Sequence, residues 1–224
     1  MISKFSGGAT LILAGVLGGM FSRCAFSLGE EINAPTASAD EKMLFDFTRL
    51  HSVDNWVEQS DTVRTVGMSK AVMVLQKTQV FQRAIFFTLL NPQPNGAGFA
   101  GVRTPVSLDL HSYKNISLLA RGQGNNSGYK VVLRHKGLDE EPNPTYEQFF
   151  TAPMGNQEEV ILSLSEFKPY YRGRALNSSE AEPLDTRNIT SFGLQVYGGV
   201  YLPVKQSGPS TLEIDWIKAV KGDV

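Results

Sequence analysis

Along most of this chain apolar and polar residues alternate over short stretches, and a period of two predicts β-strands. In residues 159–164 Val160, Leu162 and Leu164 fall on one face with Ile161 and Ser163 on the other. In residues 212–217 the same pattern aligns Leu212, Ile214 and Trp216. The clearest block covers residues 96–133. Its apolar runs, 99–102, 116–120 and 129–133, are separated by Pro, Asp and Gly/Asn turns, which predicts consecutive strands of one sheet. Arg103, Arg121 and Arg134 border these runs, placing them at strand ends where a long cation reaches over a rim or pairs with a buried carboxylate.

Residues 44–47 predict an edge strand, and residues 71–76 alternate cleanly. In residues 79–90 the spacing of Phe81, Ile85 and Leu89 fits a helix, but the nearly continuous apolar run 84–90 favours a strand. Residues 91–96, with two prolines and Asn-Gly, form a loop, as does the acidic, proline-bearing stretch 137–145. Residues 146–151 and 159–164 predict a further hairpin, and 166–174 break the strand pattern. A polar loop at 177–187 leads into a strand at 189–197 that ends in a Gly198-Gly199 bulge or bend. About ten short strands without helical crossovers predict an all-β fold, with antiparallel sheets packed face to face as a sandwich or jelly roll.

Residues 1–29 read as a targeting leader: Lys4, the apolar run 7–21, then Ala25 and Ser27 as the small residues before a cleavage point. The run is short for a membrane span, so contact with a membrane is expected only if the leader is an uncleaved anchor. A single arginine and no polar face fit entry into the secretory pathway better than a mitochondrial presequence, with the mitochondrion as the alternative. The sequons at Asn115, Asn125, Asn177 and Asn188 are the expected N-glycosylation sites and point the same way. Residues 30–42 are polar and aperiodic, a flexible linker, and the folded domain is expected over 43–220.

A net charge of −1 gives no basic field for a nucleic-acid backbone, so no nucleic acid is expected as a partner. The one cysteine, Cys24, lies in the leader, which removes disulfides, thiolate zinc sites and thiol nucleophiles from the folded part. His51, His111 and His135 show no metal-ligand spacing, and no phosphate-binding loop or nucleophile elbow is present. No metal or cofactor is expected. Asp139, Glu140, Glu141, Glu147, Glu158 and Glu159 would have to supply a hydrolase pair, but most lie in polar loops where charges are solvated. Asp109, Asp185 and Asp215 are bracketed by apolar residues and are read as structural ion-pair members, with Arg103, Arg121 or Arg172 as natural partners. Residues 169–174 place two tyrosines beside two arginines, a composition suited to a protein surface or to stacking on a sugar. The partner-binding candidates are therefore Arg103, Tyr170, Tyr171, Arg172 and Arg174.

These segments carry a family resemblance. Gly98-Phe-Ala-Gly-Val-Arg-Thr104, Asp109-Leu110 with Tyr113 and Ile116, Arg121-Gly-Gln-Gly124 with Tyr129-Lys130, and Phe167-Lys-Pro-Tyr-Tyr-Arg-Gly-Arg174 resemble the complex I intermediate-associated protein 30 (CIA30) family. Leu44-Phe-Asp-Phe47, Trp56, Asp61-Thr-Val63, Ile189-Thr-Ser-Phe-Gly193 and Glu213-Ile-Asp-Trp216 resemble its opening and closing strands. The resemblance implies a galactose-binding-like β-sandwich and a non-enzymatic, chaperone-like assembly factor of mitochondrial respiratory complex I, with complex I intermediates as protein partners. It brings no catalytic residues. Where the family has R-G-D-G, this chain has Arg121-Gly-Gln-Gly124, without the carboxylate. The alternative is a secreted or lumenal sandwich that binds a glycan or protein and takes no part in complex I assembly.

Overall fold

The computed structural model describes residues 40–222; the leader, including Cys24, and the linker up to residue 39 lie outside them. Thirteen strands follow one another: β1 (Glu41–Asp46), β2 (Val57–Glu58), β3 (Lys70–Lys77), β4 (Gln82–Leu90), β5 (Phe99–Leu108), β6 (Asn115–Gly124), β7 (Gly128–His135), β8 (Thr145–Thr151), β9 (Glu158–Ser163), β10 (Lys168–Tyr171), β11 (Arg174–Ala175), β12 (Ile189–Tyr197) and β13 (Gly208–Val220). They form two facing antiparallel sheets. One runs β3-β4-β13-β6-β9, with β1 paired beside the C-terminal half of β13. The other, seven-stranded, runs β11-β10-β8-β7-β12-β5-β2. The ambiguous stretch before Leu90 is the strand β4, which turns Ala84, Phe86 and Leu90 inward.

Alternation supplies the core from both layers. Ile116, Leu118 and Ala120 of β6 face Tyr129, Val131 and Leu133 of β7, all fully buried. Large side chains sealed in this way contribute about 1.5–3 kcal/mol each. Phe45, Phe47, Trp56 and Phe192 form an aromatic cluster in which Phe45 meets Trp56 and Phe192 edge to face, at 5.0 and 5.2 Å between centroids, and stacks on Phe47.

Four expectations change. The three runs of residues 96–133 are not neighbours in one sheet: β5 and β7 belong to the seven-stranded sheet and β6 to the other. Residues 146–151 and 159–164 are not a hairpin, because β8 pairs with β7 and β10 while β9 pairs with β6. Period two fixes which face a strand buries but carries no information about which sheet it joins. Arg103 and Arg121 stand inside their strands, since β5 continues to Leu108 and β6 to Gly124. In β13 a bulge at Asp215, between partners Ile214 and Trp216, reverses the alternation. Leu212 and Ile214 point inward, but Ile217 and Ala219 replace Trp216 in the core.

Candidate functional site

The outer face of the seven-stranded sheet carries a groove of about 1100 Å³. Its floor is built by strands that turn their second set of alternate residues outward: Lys130 from β7, Glu147 and Phe149 from β8, Gln195 and Tyr197 from β12. Lys130 Nζ lies 2.6 Å from Glu147 Oε2, both side chains under a tenth exposed, so the pair is fixed in place. Three rings cross the strands above it. Tyr170 and Phe149 meet edge to face at 5.6 Å, and Phe149 meets Tyr197 at 5.0 Å. Burial raises the Tyr170 hydroxyl above its usual range, and the Glu147 charge adds to this. A groove floor also requires low positions. At Gly101 a Cβ would meet Gln195 Cγ at 2.4 Å, so glycine lets the Gln195 side chain lie flat across β5.

The segment read as breaking the strand pattern is itself a hairpin that extends this sheet. Tyr170 pairs with Ala175 and Tyr171 with Arg174 across β10 and β11, and β10 pairs with β8. The connecting residues Arg172 and Gly173 have φ of 51° and 78°. Two left-handed residues joining paired strands make the turn that Asn-Gly normally fills. An arginine at the first position is therefore locally disfavoured, and its side chain accounts for it. Arg172 Nη2 lies 2.8 Å from Glu141 Oε2, and Arg64 Nη2 lies 3.2 Å from Glu141 Oε1. Arg64 follows β2, at the opposite edge of the sheet from β11, so the three charges span the groove mouth. Buried Asp61 pins the Arg64 loop by accepting hydrogen bonds from the Ser69 N–H at 2.9 Å and Ser69 Oγ at 2.8 Å. Tyr201 approaches the turn from the β12–β13 connection.

Of the expected partner-binding residues, Tyr170, Tyr171, Arg172 and Arg174 line the groove together. Arg174 also pairs with Glu180 at 2.8 Å, with more than half of its side chain exposed. Arg103 stands apart from them. Its Nη1 donates to Asp139 O at 2.7 Å and its Nη2 to Glu140, so it anchors the acidic loop that carries Glu141. Lys130, Tyr197 and Tyr201 carry no signal as site residues in the sequence, and Arg134 and Glu147, read there as a strand-end cation and a loop carboxylate, join them in the groove only across the sheet.

The ion pairs are also reassigned. Arg121 binds Glu213, with Nη2 at 2.8 and 2.7 Å from the two carboxylate oxygens. Asp215 lies 3.1 Å from Arg83 Nε. Asp109 is exposed and pairs with His111 at 2.6 Å, a local turn contact. Asp185 accepts the Arg187 N–H at 3.0 Å, which caps a turn. Gln123, the position at which the chain departs from the R-G-D-G that the resemblance implies, donates Nε2 to Glu213 Oε1 at 2.5 Å. An aspartate there would face Glu213 with like charge. Among the sequons, Asn125, Asn177 and Asn188 are exposed. Asn115 is 9% exposed, and its Nδ2, the atom a glycan would join, donates to Gly222 O at 2.9 Å.

By architecture this is a jelly-roll β-sandwich with a groove across one sheet. The family 11 carbohydrate-binding module of Clostridium thermocellum, solved with a β-1,3-1,4-mixed-linked tetrasaccharide, superposes with a TM-score of 0.60 at 17% identity, covering 82% of this chain and 97% of that one. A family 30 module from a cellulosomal cellulase of the same organism superposes with a TM-score of 0.51 at 10% identity, covering 82% and 99%. The chain belongs to the complex I intermediate-associated protein 30 (CIA30) family, which it matches over residues 45–214. An uncharacterised protein of Schizosaccharomyces pombe is 28% identical over 186 residues, 76% of this chain and 82% of that protein.

Proposed function

We propose that this protein is a non-enzymatic binding module that holds an extended segment of a protein partner in the groove of its seven-stranded sheet. The observation that carries this reading is the groove itself. Its ring ladder, buried Lys130–Glu147 pair and Arg/Tyr-bearing turn offer aromatic anchors and fixed polar contacts over an elongated surface. Membership of the CIA30 family supports a mitochondrial complex I intermediate as that partner. The test is genetic and local together. Deletion should deplete assembled complex I, and re-expression with Tyr170→Ala and Tyr201→Ala should fail to restore it while the protein accumulates normally. Normal complex I in the deletion strain would sink the assembly role.

A second reading has its own support: the carbohydrate-binding-module fold and rings in a groove suit an extended glycan. On this reading the expected leader and the sequons at exposed Asn125, Asn177 and Asn188 fit passage through the secretory pathway. A glycan array on the purified protein, with fractionation of a tagged full-length chain, separates this reading from the first. Mitochondrial fractionation with no glycan bound rules it out.

A further inference from the structure

Arg134, near the end of β7, lines the groove and is 6% exposed. Its Nη1 donates to Leu138 O and Asn143 O, each at 3.2 Å. Among the described residues nothing accepts from its Nε or Nη2, and neither atom is sealed from solvent. The neighbouring carboxylates are already engaged, Glu140 by Arg103, Glu141 by Arg64 and Arg172, and Glu147 by Lys130. Burial, with the Arg103 charge adding to it, pulls the Arg134 guanidinium below its ordinary pKa, although the charges of Glu140, Asp139 and Glu141 oppose this. A buried cation left with carbonyl partners and one free edge is a receptor for an anion.

We propose that the groove receives an acidic side chain of a polypeptide segment at Arg134, whose free Nε–Nη2 edge matches a carboxylate with two parallel N–H groups. The proposal rests on the groove being the binding site. Access decides the class of ligand. A carboxylate on the flexible stem of Asp or Glu reaches a guanidinium that shows only its edge, whereas a carboxylate fixed to a sugar ring must bring the ring with it. Charge agrees: Arg64 and Arg172 share Glu141, Lys130 pairs with Glu147 and Arg174 with Glu180, so among these groove cations Arg134 is the one without a carboxylate ion pair. The protein's own acidic loop already shows the mode, with Glu141 held between Arg64 and Arg172.

The test is selection of a displayed random peptide library on the full-length chain, with each enriched peptide resynthesised with its acidic residue changed to the matching amide. The expected result is an Asp or Glu at one shared position, and a loss of about tenfold or more on Glu→Gln exchange in the peptide. The Arg134 Nε–H resonance should shift with the acidic peptide and not with its amide twin. Arg134→Lys should weaken the acidic peptides with an unchanged melting temperature, and the peptide exchange keeps the test valid if that variant fails to fold. Enriched peptides that tolerate the exchange overturn the role of Arg134 and leave the groove reading standing. Tetragalacturonate binding through Arg134 with no peptide enriched overturns the proposal in favour of an acidic glycan. Neither peptide nor oligosaccharide binding overturns the groove reading itself.

Discussion

Arg121 Nη2 sits 2.7 Å from Glu213 Oε2 on the outer face of the six-stranded sheet. Arg83 Nη1 reaches the same oxygen at 2.7 Å from the neighbouring strand, and Gln123 holds the other. The Glu213 side chain is 9% exposed and that of Arg83 15%, so water replaces little of what the carboxylate supplies. Removing one member of a buried charge cluster leaves the others uncompensated. Glu213→Ala should lower stability by about 3 kcal/mol, the low end for such pairs because Arg121 is partly exposed. That corresponds to a fall of about 6–12 °C in melting temperature for a domain of this size. A thermal melt checks it, and a change within about 2 °C, the size expected of a neutral surface substitution, would show the cluster to be ornamental.

Protonation should act as a milder version of the same change. Burial raises the Glu213 carboxyl, but hydrogen bonds and charge from Arg121 and Arg83 outweigh it, leaving its pKa below the ordinary value of 4.5. In the unfolded chain the carboxyl takes up its proton at higher pH than in the native state. The stability it contributes is therefore whole above pH 4.5 and lost as pH falls through the lower folded value. Chemical denaturation in acid should show this loss for the wild type and a shallower one for Glu213→Gln.

Arg172 tests whether the turn is built for stability or for contact. Its left-handed φ of 51° favours Asn, while its pairing with Glu141 is half exposed. Exposed pairs contribute about 0–1 kcal/mol. Arg172→Asn should leave the melting temperature unchanged or slightly raised, while hydrogen exchange in the β10–β11 turn and the Glu141 loop becomes faster as the span across the groove is lost. Unchanged exchange would mean that Glu141 does not tie these loops together.

The strands and their buried faces were legible because alternation records burial directly. Ile116, Leu118 and Ala120 could be assigned inward without coordinates, and the composition of residues 169–174 drew attention to the segment that forms the groove turn. What alternation does not encode is partnership. The bulge at Asp215 moves Trp216 out of the core without any change in residue pattern, because the cause lies in the pairing of β13 with β6 and β1. Arg64 and Arg172 are far apart in sequence and meet only through Glu141. In the sequence Arg134 resembles its companions Arg103 and Arg121, and only tertiary contacts separate the two that pair with carboxylates from the one that, among the described residues, pairs with none.

The sequons differ in the same manner. If the chain passes through a secretory lumen, Asn125, Asn177 and Asn188 present exposed amides, whereas the Asn115 amide is buried against Gly222. Glycosidase treatment of the secreted protein, followed by site mapping, should find sugar at exposed sequons and none at Asn115. Modification at Asn115 would show that the end of β13 is open when the sugar is added.

His135 gives a second pH window, separate from that of Glu213. The residue is 2% exposed, its ring centroid is 4.6 Å from that of Tyr146, and its Nδ1 accepts the Asp185 N–H at 2.7 Å. A protonated ring would lose that acceptor. Burial lowers its pKa and the Lys136 charge adds to this, while Glu182 and Asp185 oppose it. The unfolded chain, with an ordinary histidine value of 6.5, therefore binds the proton first as pH falls. Stability from the neutral ring is complete above pH 6.5 and declines toward the lower folded value. Phenylalanine keeps the ring contact with Tyr146 but leaves the Asp185 N–H without its acceptor, at a cost of about 1–2 kcal/mol at neutral pH. His135→Phe should consequently start less stable and lose less between about pH 7 and pH 5.5, the interval in which histidine linkage acts. Denaturant titrations at the two pH values measure both terms. Parallel wild-type and variant losses would show that another group carries the pH dependence in this interval.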